Sequence, residues 1–250
     1  MTKLVSVLCA ALAPLASKLF SREKYRETRF VYFIGPTCVG KGYLMKLLLS
    51  WLRVMINRGL VRVGIVSFGD IVKDLLESDP EFNRAYGPMV RAGDLIPDPE
   101  AIILFERKID EMAKNGMPNM VLVDGFCRSP NQIAFAAREG YLAEGDKVFM
   151  IEASESTCLA RFMHRCENKP NGKNRIDAEL PTFHKRFRLH QNTAPQLREM
   201  FKETACDVIE VDGDESIAEG IFPKIQACLE PDVDASFDTE RYAPEQAAVA

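Results

Sequence analysis

The chemistry-bearing residues of this sequence begin with Gly35-Pro36-Thr37-Cys38-Val39-Gly40-Lys41, a GxxxxGK pattern. Glycines let a backbone wrap an anion so that successive N–H groups point inward. A helix starting there adds positive potential, and the closing lysine reaches the β and γ oxygens of a bound triphosphate. That chemistry needs Gly35, Cys38, Val39, Gly40, Lys41, Gly42 and Tyr43 on one tight turn between a strand and a helix. A second polar group, Asp124, Gly125, Arg128 and Gln132, follows another short apolar run. The third is a set of arginines. Arg161 and Arg165 are four residues apart, hence on one helical face, and Arg175 and Arg186 lie beyond a polar stretch. Separated cations with a common destination suit phosphoryl chemistry, in which charge spread over oxygens must be stabilised and little covalent help is needed.

The elements that must position these groups are legible as short apolar runs alternating with longer helix-like stretches, the pattern of a parallel sheet covered on both faces. Strands are predicted at residues 30–34, 63–67, 120–124, 147–151 and 207–211, with an apolar helix over 41–57. Two segments break the alternation and read as inserts. One spans about 69–114, with helical turns broken at Pro80, Pro88 and Pro97; the other, about 167–180, is polar and rich in Asn, Lys and Gly. Loops over a sheet edge are where ligands bind. In the turn Gly69-Asp70, glycine is expected to supply the bend and Asp70 to cap the following helix. Residues 231–250 are polar and aperiodic and are expected to form a flexible tail.

Bulk composition narrows the function classes. A net charge of −4 and a pI near 5.6 give no overall reason to bind a polyanion, so nucleic acid is excluded as the expected partner and phosphate binding must use local clusters. Seven cysteines, odd in number and without a CxxC pair, argue against a disulfide framework or a four-cysteine zinc site. The apolar stretch from Leu4 to Phe20 is interrupted by Pro14 and Lys18 and is too short for a stable membrane span. Residues 1–28 are expected to form a helix, an arm or a targeting peptide. Residues 1–22 carry Lys3, Lys18 and Arg22 and no acid, so organelle targeting stands beside a cytoplasmic location.

The GxxxxGK turn followed by Gly42, the run Ser67-Phe68-Gly69-Asp70 leading to Lys73, the turn Ala92-Gly93-Asp94-Leu95-Ile96-Pro97-Asp98, and Asp124-Gly125-Phe126-Cys127-Arg128 followed by Gln132 occur in one order. Over about residues 29–230 this order resembles the adenylate kinase family, with Thr37, Cys38, Tyr43, Lys73 and Cys127 as departures. The resemblance implies a three-layer P-loop α/β domain over 29–230: a five-stranded parallel sheet, a monophosphate-binding helical insert and a short lid without structural zinc. It implies magnesium-dependent transfer from ATP to a nucleoside monophosphate, AMP first, by a monomer. The alternatives are a UMP or CMP kinase, or a non-catalytic nucleotide-binding sensor or scaffold. It further implies that Lys41, Asp124, Arg128, Arg165, Arg175 and Arg186 are catalytic and that the loop residues and Arg161 hold ATP. Phe68, Lys73, Ile96, Gly125, Arg128 and Gln132 would hold the acceptor, and magnesium would be bound by phosphates and by water near Asp124 rather than by direct protein ligands. Cys127 stands where the family has a proline after a cis bond, and the backbone path is expected to be retained.

Overall fold

The computed structural model describes residues 28–168 and 179–230. The remainder of residues 1–28, most of the expected lid with Arg175, and the tail 231–250 lie outside the described residues. Five strands, β1 (Arg29–Ile34), β2 (Val63–Ser67), β3 (Met120–Asp124), β4 (Lys147–Glu152) and β5 (Asp207–Asp212), form one parallel sheet in the order β2-β3-β1-β4-β5. Between them run α1 (Lys41–Asn57), α2 (Phe68–Ser78), α3 (Pro80–Arg91), α4 (Asp98–Lys114), α5 (Pro130–Arg138), α6 (Glu155–Asn168) and α7 (Leu180–Lys202), and α8 (Phe222–Leu229) follows β5.

The sequence of β1, RFVYFI, is apolar without alternation because both of its faces are covered. Phe30, Tyr32 and Ile34 join a core with Phe105 of α4 and Ile133 of α5. Val31 and Phe33 point the other way, against Leu44, Leu48 and Leu52 of α1. Asp146 fixes the start of β1, its two carboxylate oxygens accepting from the backbone N–H groups of Phe30 and Ala143 at 2.8 Å each. In register, Asp124 at the end of β3 stands between Phe33 of β1 and Ser67 of β2. The C-terminal sheet edge therefore collects the ends of three strands in one place, the position at which open α/β sheets receive ligands.

Three local expectations are corrected. Pro88 does not break a helix but lies inside α3. It removes the N–H that the Arg84 carbonyl would accept, at about 3 kcal/mol, a loss offset by burial of Phe82 and Val90 on the same helix. Asp70 is not the cap of α2: the helix starts at Phe68 after Ser67, and Asp70 is an acid in its first turn, where it complements the helix dipole. Gly69 does not supply a bend but lies inside α2; Leu76 of α2, Phe82 and Val90 of α3, and Leu104, Phe105 and Ile109 of α4 are buried in one core. No described helix is long and apolar enough to cross a membrane.

Candidate functional site

The turn between β1 and α1 is closed by its own chemistry. Lys41 is buried, and its Nζ donates to the carbonyls of Gly35 and Pro36 at 2.9 Å each, with Asp124 Oδ1 at 3.9 Å. Burial pushes the Lys41 ammonium below its usual value; Asp124 works against that shift, and the Arg128 charge adds to it. Cys38 at φ +62° and Gly40 at φ +111° take left-handed backbone conformations that turn the chain into α1. A side chain is uncommon there, because it brings Cβ close to the following carbonyl. Val39 is buried in the core, whereas Gly42 and Tyr43 are exposed on the first turn of α1.

Arg161 of α6 reaches this loop. Its Nη1 donates to the carbonyls of Val39 and Gly213, and its Nη2 to that of Glu215, all at 2.8 Å. It thus braces the GxxxxGK turn against the loop after β5. Arg165, one turn further along α6, carries its guanidinium 5.7 Å from the centre of the Phe162 ring.

On the other side of Asp124 lies a cavity of about 150 Å³, lined among others by Phe68, Lys73, Ile96, Gly125, Arg128 and Gln132, and by Arg186. Every residue assigned from sequence to the acceptor is in its wall, and Arg186 joins them from α7. Lys73 is exposed, with Glu77 3.9 Å away one helical turn on. Arg186 Nη2 donates to the Val90 carbonyl at 3.3 Å. Gly125, at φ +90°, must be glycine: a Cβ there would stand 2.9 Å from Cβ of Phe68 and 3.2 Å from Nη2 of Arg128.

The stretch from Phe126 to Arg128 keeps its packing without a cis bond, for among the described residues no peptide bond is cis. Cys127 instead takes φ +58°, and Phe126 stacks on Phe105 at 4.2 Å and on Phe68 at 5.3 Å. Two ring stacks, each worth about 0.5–1.5 kcal/mol beyond area burial, hold the loop in the place that puts Arg128 into the cavity. Cys127 is fully buried and its thiol is pushed well up by desolvation, which opposes a reactive-thiol role.

Sequence reasoning missed Asp98 in this site. The first residue of α4, it accepts from Ser129 Oγ at 2.7 Å, Asn131 Nδ2 at 3.0 Å and Gln132 Nε2 at 2.8 Å. Gln132 Oε1 in turn accepts from Arg128 N at 2.9 Å. The available signal was Ser129-Pro130 before a helix, a cap followed by Pro at the first helical position. It marks the cap but not its distant carboxylate partner.

A magnesium ion is what the resemblance implies for this edge. Asp124 Oδ1 is buried and has no hydrogen-bond partner among the described residues, which fits an acceptor for metal-bound water. No group of three His, Cys, Asp or Glu side chains able to hold a metal directly occurs among the described residues.

No family model matches the chain. It is 30% identical over 146 residues to a protein of Oryza sativa subsp. japonica named probable adenylate kinase 6, chloroplastic; the match covers 58% of this chain and 47% of that one, so about half of the relative's length. An adenylate kinase of Clavibacter michiganensis subsp. michiganensis is 27% identical, over 78% of this chain and 90% of its own. Adenylate kinase 1 of a Nostoc strain is 24% identical, over 81% and 98%. A solved shikimate kinase from Bacteroides thetaiotaomicron superposes with a TM-score of 0.44 at 16% identity, over 81% of this chain and 99% of that one.

Proposed function

We propose that this chain, an adenylate-kinase-like P-loop kinase, transfers the γ-phosphoryl group of ATP to a nucleoside monophosphate, with AMP as its first acceptor. One observation carries the reading. Six residues assigned to an acceptor from three separate stretches line a single cavity, and the loop that carries Gly125 and Arg128 into its wall starts at Asp124, whose Oδ1 is 3.9 Å from Nζ of Lys41 in the GxxxxGK turn.

The loop residues Gly35, Cys38, Val39, Gly40, Lys41, Gly42 and Tyr43 hold the triphosphate, with Lys41 leaving the Gly35 and Pro36 carbonyls to meet its β and γ oxygens. Arg161 keeps the loop in shape rather than offering those three N–H bonds to the nucleotide. Arg128, Lys73 and Arg186 orient the acceptor phosphate, one of whose oxygens attacks the γ phosphorus in line while the bond from that phosphorus to the β–γ bridging oxygen breaks and ADP leaves with the oxygen, with no phosphoenzyme. Lys41, Arg128, Arg165, Arg175 and Arg186 spread positive charge over the transferred group. Lysine at position 73 gives a point charge where arginine would give a fork, so acceptor affinity rests mainly on Arg128. Asp124 would hold magnesium through water, and the ion would neutralise charge on the phosphate oxygens.

The test is an acceptor screen with ATP and magnesium, measuring nucleoside diphosphate from AMP, UMP, CMP and GMP. Most product from AMP supports the reading. Most product from UMP or CMP moves the assignment to a pyrimidine monophosphate kinase. Binding of ATP and AMP without product makes the protein a sensor or scaffold.

A further inference from the structure

A primary amide has two ends of opposite chemistry, one accepting and one donating, and turning it over exchanges them. Gln132 is nearly fully buried, at 3% exposure, and both ends of its amide already have a neighbour. Oε1 faces the backbone N–H of Arg128, which only donates; Nε2 faces the Asp98 carboxylate, which when ionised only accepts. Turned over, the amide would set its NH2 against an N–H and its oxygen against a carboxylate, replacing two attractions with two repulsions. Three donors converge on Asp98, from Ser129, Asn131 and Gln132, so the carboxylate is itself held in place.

The direction of this amide matters because Gln132 lines the acceptor cavity. Each end keeps one unused valence: a lone pair on Oε1 and an N–H on Nε2. Adenine offers a 6-amino donor beside the N1 acceptor, and a glutamine with fixed ends pairs with both at once. A 6-oxo purine reverses the two positions, with an oxygen at position 6 and an N–H at position 1, and needs the amide turned over. We infer that Asp98 is a specificity-determining positioning residue: by locking the Gln132 amide in one direction it selects 6-amino over 6-oxo purine monophosphates. The inference rests on the acceptor reading given above, and it names a residue that does not itself touch the base.

The experiment compares kcat/KM for AMP, GMP and IMP in the wild type, Asp98→Asn, Gln132→Ala and the double variant, with Asn131→Ala as control. Asparagine can present a donor to a turned amide. Exchanging a hydrogen bond to a charged acceptor for a neutral one lowers the AMP preference over GMP and IMP by about tenfold. The change lies in KM, with kcat for AMP altered less. In the Gln132→Ala background, Asp98→Asn leaves the preference where it is, an outcome that a merely structural role would not give. Asn131→Ala, which touches the outer oxygen of Asp98, keeps the wild-type preference.

A wild-type preference for AMP that survives Asp98→Asn unchanged overturns the lock and leaves the kinase reading standing. So does an equal effect of Asp98→Asn with and without Gln132. If Asp98→Asn does not fold, Asp98→Ala, which takes the acceptor away from Nε2, decides: an AMP preference equal to the wild type's overturns the lock, and one lowered toward GMP and IMP supports it. A wild type that turns over nucleoside monophosphates without preferring AMP removes the adenine reading, and the lock with it.

Discussion

The loop after β1 and the loop after β3 are made of similar parts, a left-handed cysteine, a left-handed glycine and a cation, and they are in opposite states of readiness. In the loop after β1 the cation is turned inward: Lys41 binds the carbonyls of its own loop, and Arg161 ties the same loop to the turn after β5. Around the loop after β3 the polar groups line a cavity, held by the Phe105–Phe126–Phe68 stack and by the Asp98 network. A site that is formed beforehand loses little ordering entropy when it binds, whereas one that must give up internal bonds offsets part of its binding energy. Under the function proposed above, the loop after β3 would receive its ligand as it stands, whereas Lys41 would have to leave the Gly35 and Pro36 carbonyls.

The largest effects come from removing the cation on either side. Lys41→Ala and Arg128→Ala are each expected to lower turnover by at least about 10²-fold, the scale for loss of one transition-state donor, while thermal unfolding stays near that of the wild type. Lys41→Ala weakens ATP binding and Arg128→Ala weakens acceptor binding; steady-state kinetics with each substrate varied separates them. Full activity in either purified variant contradicts the assignment.

Next is Gly125→Ala, which adds Cβ at φ +90° within 2.9 Å of Phe68 Cβ. About 1–3 kcal/mol of stability should be lost, with acceptor KM raised and ATP affinity unchanged, as calorimetry and ATP titration would report.

The two cysteines give a finer contrast. Cys38→Gly relieves a left-handed side chain at a half-buried position and should raise stability by up to about 1 kcal/mol. Cys127→Gly relieves the same conformation but empties a fully buried thiol site, so the gain is cancelled or reversed. Equal melting shifts in the two variants would break the comparison.

The smallest effect is on pH. Because burial lowers the Lys41 pKa, the ammonium is present at low pH and is lost as pH rises through a value under the ordinary 10.5. ATP affinity of the free protein is therefore expected to weaken at a lower pH than titration of an exposed lysine would give, and isothermal titration across the alkaline range measures it.

Much of this was legible in the sequence, for physical reasons that differ by region. The central strands β1, β3 and β4, covered on both faces, leave apolar runs, and the edge strands β2 and β5 leave shorter ones, so β2 and β3 were placed to the residue and β1, β4 and β5 to within one residue at an end. The helix after the GxxxxGK turn declared itself at both ends, Lys41 and Asn57. That Phe68, Lys73, Gly125, Arg128 and Gln132 share one cavity follows from their places just after the ends of β2 and β3, which are neighbours in the sheet; Ile96 joins them from the turn before α4. What stayed hidden were properties of partners rather than of residues. Neither the left-handed Cys38 nor the left-handed Cys127 has a composition signal, since cysteine has no special tolerance for that conformation. Pro88 looked like a breaker because the burial of Phe82 and Val90 that outweighs it is a tertiary effect. Asp98 read as a turn residue, for its three donors lie more than thirty positions downstream.

The central claim is that a phosphoryl group passes directly between two nucleotides over one sheet edge. ATP labelled in its γ-phosphate, mixed with the protein, magnesium and AMP in a single turnover, tests it most directly. The account predicts that the label appears in newly formed ADP, and that it does so at least about 10²-fold more slowly with Lys41→Ala and with Arg128→Ala. Label released only as inorganic phosphate, or retained in ATP while both nucleotides are bound, would contradict it.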